Sequence, residues 1–239
     1  MQKFAFNTRT DKQYRAYFMA VMGSERARHT YQRRLVTVKR LANGFQGKRI
    51  LDIGCGYGFR TIGIAKGESD LVIGIDMDED RVNDALNYAN RLDLKNVEFK
   101  VMNAESLEFA SNSFDIVLAD EMIHHADNLQ TVISEMYRVT KQGGVTVISD
   151  HNKWSFPSEI MRFFYFGRNR EKVFSARQIY RLFKTTYFRD IEYKHIIFTL
   201  PFNNMPNSFL KINSVLESLI ELTPFLRSQC AVYVIRGTK

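Results

Sequence analysis

The feature that most constrains this chain is a short apolar run that ends in a glycine turn. Residues 50–58 read Ile-Leu-Asp-Ile-Gly-Cys-Gly-Tyr-Gly, and a helical pattern follows them. Glycine allows backbone angles that other residues avoid and lets a ligand approach the main chain closely. The first N–H groups of the next helix are free to bind that ligand. The segment therefore predicts a strand, a ligand-binding turn and a helix, in that order.

Seven short runs predict β-strands, and helical patterns separate most of them. The first five are apolar along most of their length, which is typical of strands buried on both faces of a parallel sheet. Strands that alternate with helices predict a Rossmann-like, doubly wound α/β fold with a mostly parallel seven-stranded sheet. The predicted strands are Arg49–Ile53, Leu71–Asp76, Val97–Met102, Phe114–Asp120, Val145–Asp150, Arg189–Phe198 and Cys230–Arg236.

Polar residues mark where two of the helices begin. A helix is predicted over Asn128–Thr140, and Asp127 and Gln130 before and within it have the spacing of a capping box. Ser175 and Gln178 have the same spacing, ahead of a second amphipathic stretch. Both helices are therefore expected to start at a side chain that accepts a backbone hydrogen bond.

Changes of pattern along the chain divide it into four expected segments. Residues 1–48 give no strand signal and predict an N-terminal helical segment, and residues 49–151 form the α/β core. Residues 152–187 are rich in aromatic and basic side chains and predict a helical cap, whose aromatic run 154–174 suits a hydrophobic lid and a packed helix equally well. Residues 188–239 are expected to complete the sheet, with one helix between their strands.

Charge is distributed unevenly within a net charge of +8. Residues 1–49 carry +10, residues 50–151 carry −10 and residues 152–198 carry +6. We interpret the basic segments as recognising an anionic acceptor, or an acceptor at an anionic membrane surface. The alternative is that they only pair with the acidic core. The basic residues of the expected cap are Arg162, Arg168, Arg170, Lys172, Arg177 and Arg181.

The remaining composition excludes several classes of protein. No apolar stretch approaches the ~18 residues that a membrane helix needs, and Met1–Met19 does not have the pattern of a signal peptide. Two cysteines are too few for a disulfide scaffold and lack the spacing of a zinc site, so no metal is expected. A cytoplasmic location is the expectation, and the oligomeric state is left open.

Two aspartates accompany the glycine turn and indicate which ligand it binds. Asp52 directly precedes the turn, and Asp76 ends the next strand, where an acid can bind ribose hydroxyls. The dinucleotide fingerprint G-x-G-x-x-G does not fit, because the third glycine falls one residue early at Gly58 and Phe59 takes its place. An acid before the turn also favours a cationic ligand over a pyrophosphate. The pattern favours S-adenosylmethionine.

These residues resemble the class I S-adenosylmethionine-dependent methyltransferases. Within them the chain is similar to the small-molecule group, known as type 11, that includes the ubiquinone and menaquinone biosynthesis methyltransferases. Four further stretches carry the resemblance, and it is specific over residues 49–150, a little under half of the chain. The stretches are Val101–Leu107, Ser113–Val117, His124-His125 and Glu135–Gly144.

The resemblance implies a cofactor site for S-adenosylmethionine, which leaves as S-adenosylhomocysteine. The glycines would pass beneath the methionine part, Asp52 would hold its amino end, and Asp76 would bind the ribose. Met77 would pack on the adenine, and Asn103 would replace the family's usual aspartate at the adenine edge, where an amide oxygen still accepts a hydrogen bond. The implied residues are Asp52, Gly54, Gly56, Gly58, Asp76, Met77, Asn103, Ala104 and Asp120.

Three histidines follow strand ends at the edge where the ligand is expected. His124 and His125 come just after the fourth predicted strand, and His151 comes directly after the fifth. They are candidates for the catalytic base. The alternative is that one of them only caps or packs near Asp127.

The predicted reaction is methyl transfer to an oxygen, nitrogen or carbon nucleophile of a small molecule. The enzyme would hold donor and acceptor in line and exclude water, and a base is needed only for a hydroxyl or an acidic carbon. One alternative is a nucleic-acid methyltransferase, since basic flanks suit phosphates. Against it, Ala119–Met122 lacks the Asn/Asp-Pro-Pro-aromatic motif of amino-group methylation. The other alternative is a non-catalytic protein that binds S-adenosylmethionine with the same fold.

Overall fold

The computed structural model describes residues 25–67, 69–155, 172–197, 216–217, 219–221, 223 and 226–239. Seven strands lie in this part of the chain: β1 (Arg49–Ile53), β2 (Leu71–Asp76), β3 (Val97–Val101), β4 (Phe114–Asp120), β5 (Thr140–His151), β6 (Arg189–Ile196) and β7 (Val232–Thr238). The main helices are α1 (Glu25–Leu41), α2 (Phe59–Ala65), α3 (Glu79–Arg91), α4 (Leu129–Val139) and α5 (Ala176–Thr185), with short 3₁₀ turns at Ile123–His125 and Leu226–Gln229.

The strands form one sheet in the order β3-β2-β1-β4-β5-β7-β6. The first five strands are parallel, and β7 runs antiparallel to both of its neighbours. The predicted Rossmann-like, mostly parallel seven-stranded sheet is confirmed. The chain winds outward from β1 to β3, then restarts beside β1 at β4, so the strand order reverses between β1 and β4. In open α/β sheets ligands bind at the carboxyl ends of the strands at such a switch point.

Helices bury both faces of the sheet. On one face α1 and α2 cover Ile50, Ile116 and Leu118, and on the other α4 and α5 cover Leu51, Val117 and Ala119. The side-chain alternation of the strands therefore decides which helix layer each residue meets.

Several boundaries differ from the sequence prediction. The strand predicted from Val145 begins at Thr140, because its first residues continue the ladder beside the end of β7: Gly143 N–H donates to the Lys239 carbonyl, and Lys239 N–H donates to the Gly144 carbonyl. The predicted cap at Asp127 is wrong. The side chain of Asn128 instead accepts from Thr131 N–H.

The capping box predicted at Ser175 is confirmed. It begins α5, a helix that packs against the sheet. The Ser175 side chain accepts from Gln178 N–H, and the Gln178 side chain accepts from Ser175 N–H. α5 buries Ile179 and Phe183 completely against the sheet. This part of the expected cap therefore belongs to the α/β unit, whereas residues 156–171 lie outside the described residues. The division into four segments stays a prediction.

The predicted helix around 208–222 is described only in part. Its helical residues 216–217 and 219–221 lie beside α1, where Arg33 pairs with Glu217 and Glu221 at 2.9 and 2.8 Å. Within the described ranges no helix is both long enough and apolar enough to cross a membrane.

Replacing Asn128 with alanine should lower the free energy of unfolding by about 1 kcal/mol, because Thr131 N–H loses its acceptor. The neighbouring variant Asp127→Ala is the control and should stay within about 0.5 kcal/mol of the wild type. Urea unfolding measures both. A larger loss in Asp127→Ala than in Asn128→Ala would place the cap one residue earlier.

Candidate functional site

The turn after β1 holds three glycines in the left-handed region. Their φ angles are 70° at Gly54, 51° at Gly56 and 74° at Gly58. A Cβ on Gly58 would lie 2.7 Å from both Ala85 and Phe99, so this glycine lets α3 and β3 approach the turn. A Cβ on Gly56 would meet nothing within 4 Å. Gly56 therefore borders open space at the carboxyl end of the sheet.

Asp76 is tied to this turn by backbone hydrogen bonds. Its carboxylate accepts from Gly56 N–H at 2.8 Å and from Asp78 N–H at 3.1 Å. Next to it Met77 is 69% exposed, and Val101, which pairs with Asp76 at the end of β3, is also exposed. The structure thus brings an anchored acid and exposed apolar side chains together beside the open space at Gly56.

The other residues expected at the adenine edge lie just beyond β3. The Asn103 side-chain oxygen accepts from Glu105 N–H at 2.8 Å, which fixes the turn there. Ala104 packs against the core. That oxygen has a second lone pair for a ligand, and the contact with adenine stays a prediction.

Asp52 does not face the open turn. It is 0% exposed, and its carboxylate accepts from the Arg60 guanidinium and, at 2.7 Å, from the Thr61 hydroxyl. Both partners come from α2, which begins directly after the glycines. The contact of Asp52 with the amino end of the cofactor stays a prediction.

Asp52 belongs to a cluster that we call the arginine–carboxylate network, which runs from the buried Asp52 to the exposed Glu121. Arg60 bridges Asp52 and Asp120, and Arg34 of α1 bridges Asp120 and Glu121. Burial opposes ionisation of Asp120, but Arg34 and Arg60 outweigh it and lower its pKa to about 2. Three carboxylates then face two guanidinium groups, so the network carries one net negative charge at neutral pH.

The three candidate histidines meet at the carboxyl edge between β4 and β5. The His124 ring centroid lies 4.1 Å from that of His125 and 5.8 Å from that of His151. His151 Nε2 lies 3.4 Å from a Glu121 carboxylate oxygen, which joins it to the network.

His124 has a buried carboxylate partner at one of its ring nitrogens. Its Nδ1 lies 2.8 and 3.1 Å from the two oxygens of Asp150, and the two residues are 8% and 2% exposed. Asp150 also accepts from His151 N–H at 2.6 Å. An ionised carboxylate can only accept a hydrogen bond, so His124 Nδ1 carries the proton that it donates to Asp150. In neutral His124 the lone pair is then on Nε2. His124 is therefore oriented as a proton acceptor.

Sequence reasoning missed Asp150, Arg34 and Arg60. The only signal for Asp150 was its place at the end of a strand, the same signal that singled out Asp120. Arg60 directly follows the glycine turn, yet its direction depends on the path of α2. Arg34 lies in a helix with many basic residues, and only the packing of α1 distinguishes it from its neighbours.

The basic residues of the expected cap are only partly described. Arg162, Arg168 and Arg170 lie outside the described residues. Arg177 and Arg181 are exposed on α5. Lys172 is also exposed, and its ammonium group lies 3.4 Å from the Ala126 carbonyl, next to His125.

Neither metal chemistry nor a reactive thiol has support in the described parts of the chain. There, no three or more histidine, cysteine, aspartate or glutamate side chains gather into a possible metal site. Cys55 and Cys230 are buried, and burial raises the pKa of both thiols, that of Cys230 to about 12.

Comparison with known proteins identifies the family. Residues 45–197 match the family model of the methyltransferase domain. The chain belongs to this family. A demethylmenaquinone methyltransferase of Geobacillus stearothermophilus is 34% identical over 132 residues, 54% of this chain and 56% of the relative. A ubiquinone biosynthesis O-methyltransferase of Acinetobacter baylyi is 32% identical over 121 residues, half of each chain. The chain thus spans about half the length of these curated relatives.

A solved structure has a similar fold over nearly its whole length. An S-adenosylmethionine-dependent methyltransferase of Thermotoga maritima superposes with a TM-score of 0.68, covering 95% of each chain at 20% identity. The fold is the class I S-adenosylmethionine-dependent methyltransferase fold.

Replacing Gly58 with alanine should mainly lower stability, whereas replacing Gly56 with alanine should mainly weaken cofactor binding. Gly58→Ala adds a clash to the strain of a positive φ and should cost about 2–5 kcal/mol of unfolding free energy. Gly56→Ala should cost only about 1–2 kcal/mol, but its Cβ enters the open space and should weaken S-adenosylhomocysteine binding at least about tenfold. Urea unfolding and calorimetric titration measure the two effects. Unchanged affinity in Gly56→Ala would show that no cofactor passes this turn.

Arg60→Met should lower the free energy of unfolding by about 3–5 kcal/mol, because it leaves the fully buried charge of Asp52 without its cationic partner. Arg177→Met removes the same charge from the exposed face of α5 and should change the free energy of unfolding by less than about 0.5 kcal/mol. Chemical unfolding of both variants compares them. Equal stabilities would mean that Asp52 is neutral or reached by water.

Proposed function

We propose that this chain transfers the methyl group of S-adenosylmethionine to an oxygen or an acidic carbon of a small molecule, and that His124 accepts the proton. The observation that carries the proposal is the buried His124–Asp150 pair at the carboxyl edge of the sheet, one strand away from the glycine turn. An acceptor that keeps its proton would have no use for such a pair.

The cofactor side of the proposal rests on charge and shape. S-adenosylmethionine supplies an activated methyl group on a positively charged sulfur. The net negative charge of the arginine–carboxylate network attracts a cation of this kind. The bare backbone at Gly56 lets the ligand lie against the turn, and Asp76 has lone pairs left for ribose hydroxyls.

In the proposed reaction the nucleophilic atom of the acceptor bonds to the methyl carbon while the bond from that carbon to sulfur breaks. The proton of the acceptor passes to His124 Nε2, and the products are the methylated acceptor and S-adenosylhomocysteine. Asp150 holds the ring in the required tautomer and stabilises the imidazolium that forms. His125 and His151 line the same edge, and we assign them to shaping the acceptor pocket.

The relatives support a small molecule as the acceptor, since two of them are named for quinone biosynthesis, one of these as an O-methyltransferase. An anionic acceptor, contact with a membrane surface and a cytoplasmic location remain proposals. Among the described basic residues of the expected cap, Lys172 lies next to the histidines, at the Ala126 carbonyl. A nucleic-acid substrate and a non-catalytic role remain alternatives.

His124→Gln should slow single-turnover methyl transfer to a small phenolic acceptor by about 10²–10⁴-fold, because the proton acceptor is lost. Asp150→Asn should slow it as well, because an amide offers the imidazolium no charge. The control is His29→Gln, which removes an imidazole of α1 that lies 3.5 Å from Glu217, and its rate should stay within about threefold of the wild-type rate. Quenched-flow measurement with tritiated S-adenosylmethionine gives the rates, and calorimetry confirms cofactor binding. Equal rates in all three variants would show that the chain catalyses by positioning alone.

A further inference from the structure

A hydrogen bond joins the loop after β3 to the segment that carries His124. One oxygen of the Glu105 carboxylate accepts from Asn128 N–H at 2.8 Å, across 23 residues of sequence. Asn128 caps the start of α4, and His124 lies in the 3₁₀ turn Ile123–His125 just before it. We call residues 122–126 the histidine turn. Glu105 therefore ties the end of this turn to a different part of the proposed site.

That other part is the loop expected to meet the adenine of the cofactor. Glu105 N–H donates to the side-chain oxygen of Asn103 at 2.8 Å. The carboxylate and the N–H of this one residue thus contact the start of α4 and the expected adenine edge. A displacement of Glu105 would move the histidine turn relative to the cofactor.

The other end of the histidine turn is held by the glycine turn. A Cβ on Gly54 would overlap the side chain of Met122, which directly precedes the 3₁₀ residues. Inside the turn, His125 N–H donates to the Met122 carbonyl at 2.9 Å. The histidine turn is therefore fixed at one end by packing on Gly54 and at the other by the hydrogen bond to Glu105.

We propose that Glu105 is a positioning residue, which holds His124 where it can take the proton of the acceptor. The inference rests on the proposed function and adds a residue to it. A hydrogen bond from an N–H to a carboxylate is charge-assisted and directional, so it fixes the end of the turn. A displacement of about 1 Å at a reacting group can slow a reaction about 10²-fold. In this account Glu105 acts on the reaction through His124.

Removing the Glu105 side chain should leave its loop folded. Arg138 of α4 donates to the carbonyls of Leu107 and Phe109, both at 2.7 Å. Glu135 of the same helix accepts from Leu107 N–H at 2.8 Å. These bonds hold the loop on α4 independently of Glu105. A change at His124 in a Glu105 variant is then not the result of an unfolded loop.

Hydrogen exchange tests the tie without an acceptor. In protein saturated with S-adenosylhomocysteine, Glu105→Ala should speed exchange of the His125 amide at least about tenfold more than that of the Ile53 amide in β1. The histidine turn opens locally in this variant, whereas the Ile53 amide reports opening of the sheet. Glu105→Gln keeps an acceptor oxygen and should restore slow exchange. Glu108→Ala is the matched control, because it removes an exposed carboxylate from the same loop.

Kinetics test whether the tie acts through His124. Single-turnover methyl transfer to phenol at saturating S-adenosylmethionine should be at least about tenfold slower in Glu105→Ala than in the wild type. In a His124→Gln background the same change should slow transfer by less than about twofold, because the base that Glu105 positions is already gone. Glu105→Gln and Glu108→Ala should stay within about threefold of the wild-type rate.

Three results would overturn the inference: unchanged His125 exchange in Glu105→Ala, an unchanged rate, or equal slowing in both backgrounds. Equal slowing would show that Glu105 supports the fold or the cofactor and not His124. If Glu105→Ala does not fold, Glu105→Asp replaces it in both experiments, since its carboxylate is one methylene too short to reach Asn128. A wild-type rate in His124→Gln alone would instead overturn the proposed function, so the two failures are distinguishable.

Discussion

The arrangement of the site depends on two aspartates on the same face of the sheet, Asp52, which is fully buried, and Asp120, which is 12% exposed. Asp52 lies one residue before the end of β1, and Asp120 ends the neighbouring strand β4. A buried charge without a partner costs several kcal/mol. The Arg60 guanidinium pairs with the carboxylates of both aspartates. Arg60 lies in α2, which directly follows the glycine turn. Arg34 compensates Asp120 from α1. The α1 helix is therefore held at the carboxyl ends of β1 and β4 by ion pairs as well as by its apolar side chains.

This pairing explains part of the uneven charge of the chain. Arg33 and Arg34 are consecutive residues of the strongly basic first segment, and they face in different directions. Arg34 reaches the acidic core, and Arg33 reaches Glu217 and Glu221 near the C-terminus. Some of the N-terminal excess of positive charge thus serves to fasten α1, as the alternative interpretation of the sequence holds. The exposed Arg177 and Arg181 have no such explanation in the structure.

Because side chains alternate along a strand, the arginine–carboxylate network and Asp150 lie on opposite faces of the sheet. At the end of β4, Asp120 points toward α1 and α2, where the arginine–carboxylate network lies. At the end of β5, Asp150 points toward α4 and α5, together with Tyr233. The faces meet at the carboxyl edge, where His151 contacts Glu121 of the network and its ring lies near His124. A one-residue shift in either strand would exchange the two environments.

Features set by a few consecutive residues were predictable from the sequence. The glycine turn and the bounds of β1, β2 and β4 follow from local pattern, and so does the capping box at Ser175. The sequence also marked His124, His125 and His151, because each follows a strand end. It did not show that His124 pairs with Asp150, since the two residues become adjacent only after β4 and β5 pair. The burial of Asp52 was unpredictable for the same reason: Arg60 closes over it in three dimensions.

The two charged groups act at different stages of the proposed reaction. The network stabilises the cationic cofactor before transfer, and this contribution improves cofactor binding without lowering the barrier. During transfer the positive charge leaves the sulfur, and in the product state it resides on the His124 imidazolium. Asp150 is the buried carboxylate that this charge approaches, so its contribution grows toward the transition state and accelerates the step. If this is how the site works, loss of the network charge raises the KM for the cofactor, whereas loss of the Asp150 charge lowers kcat. The separation of the two aspartates onto opposite faces of the sheet keeps these effects independent.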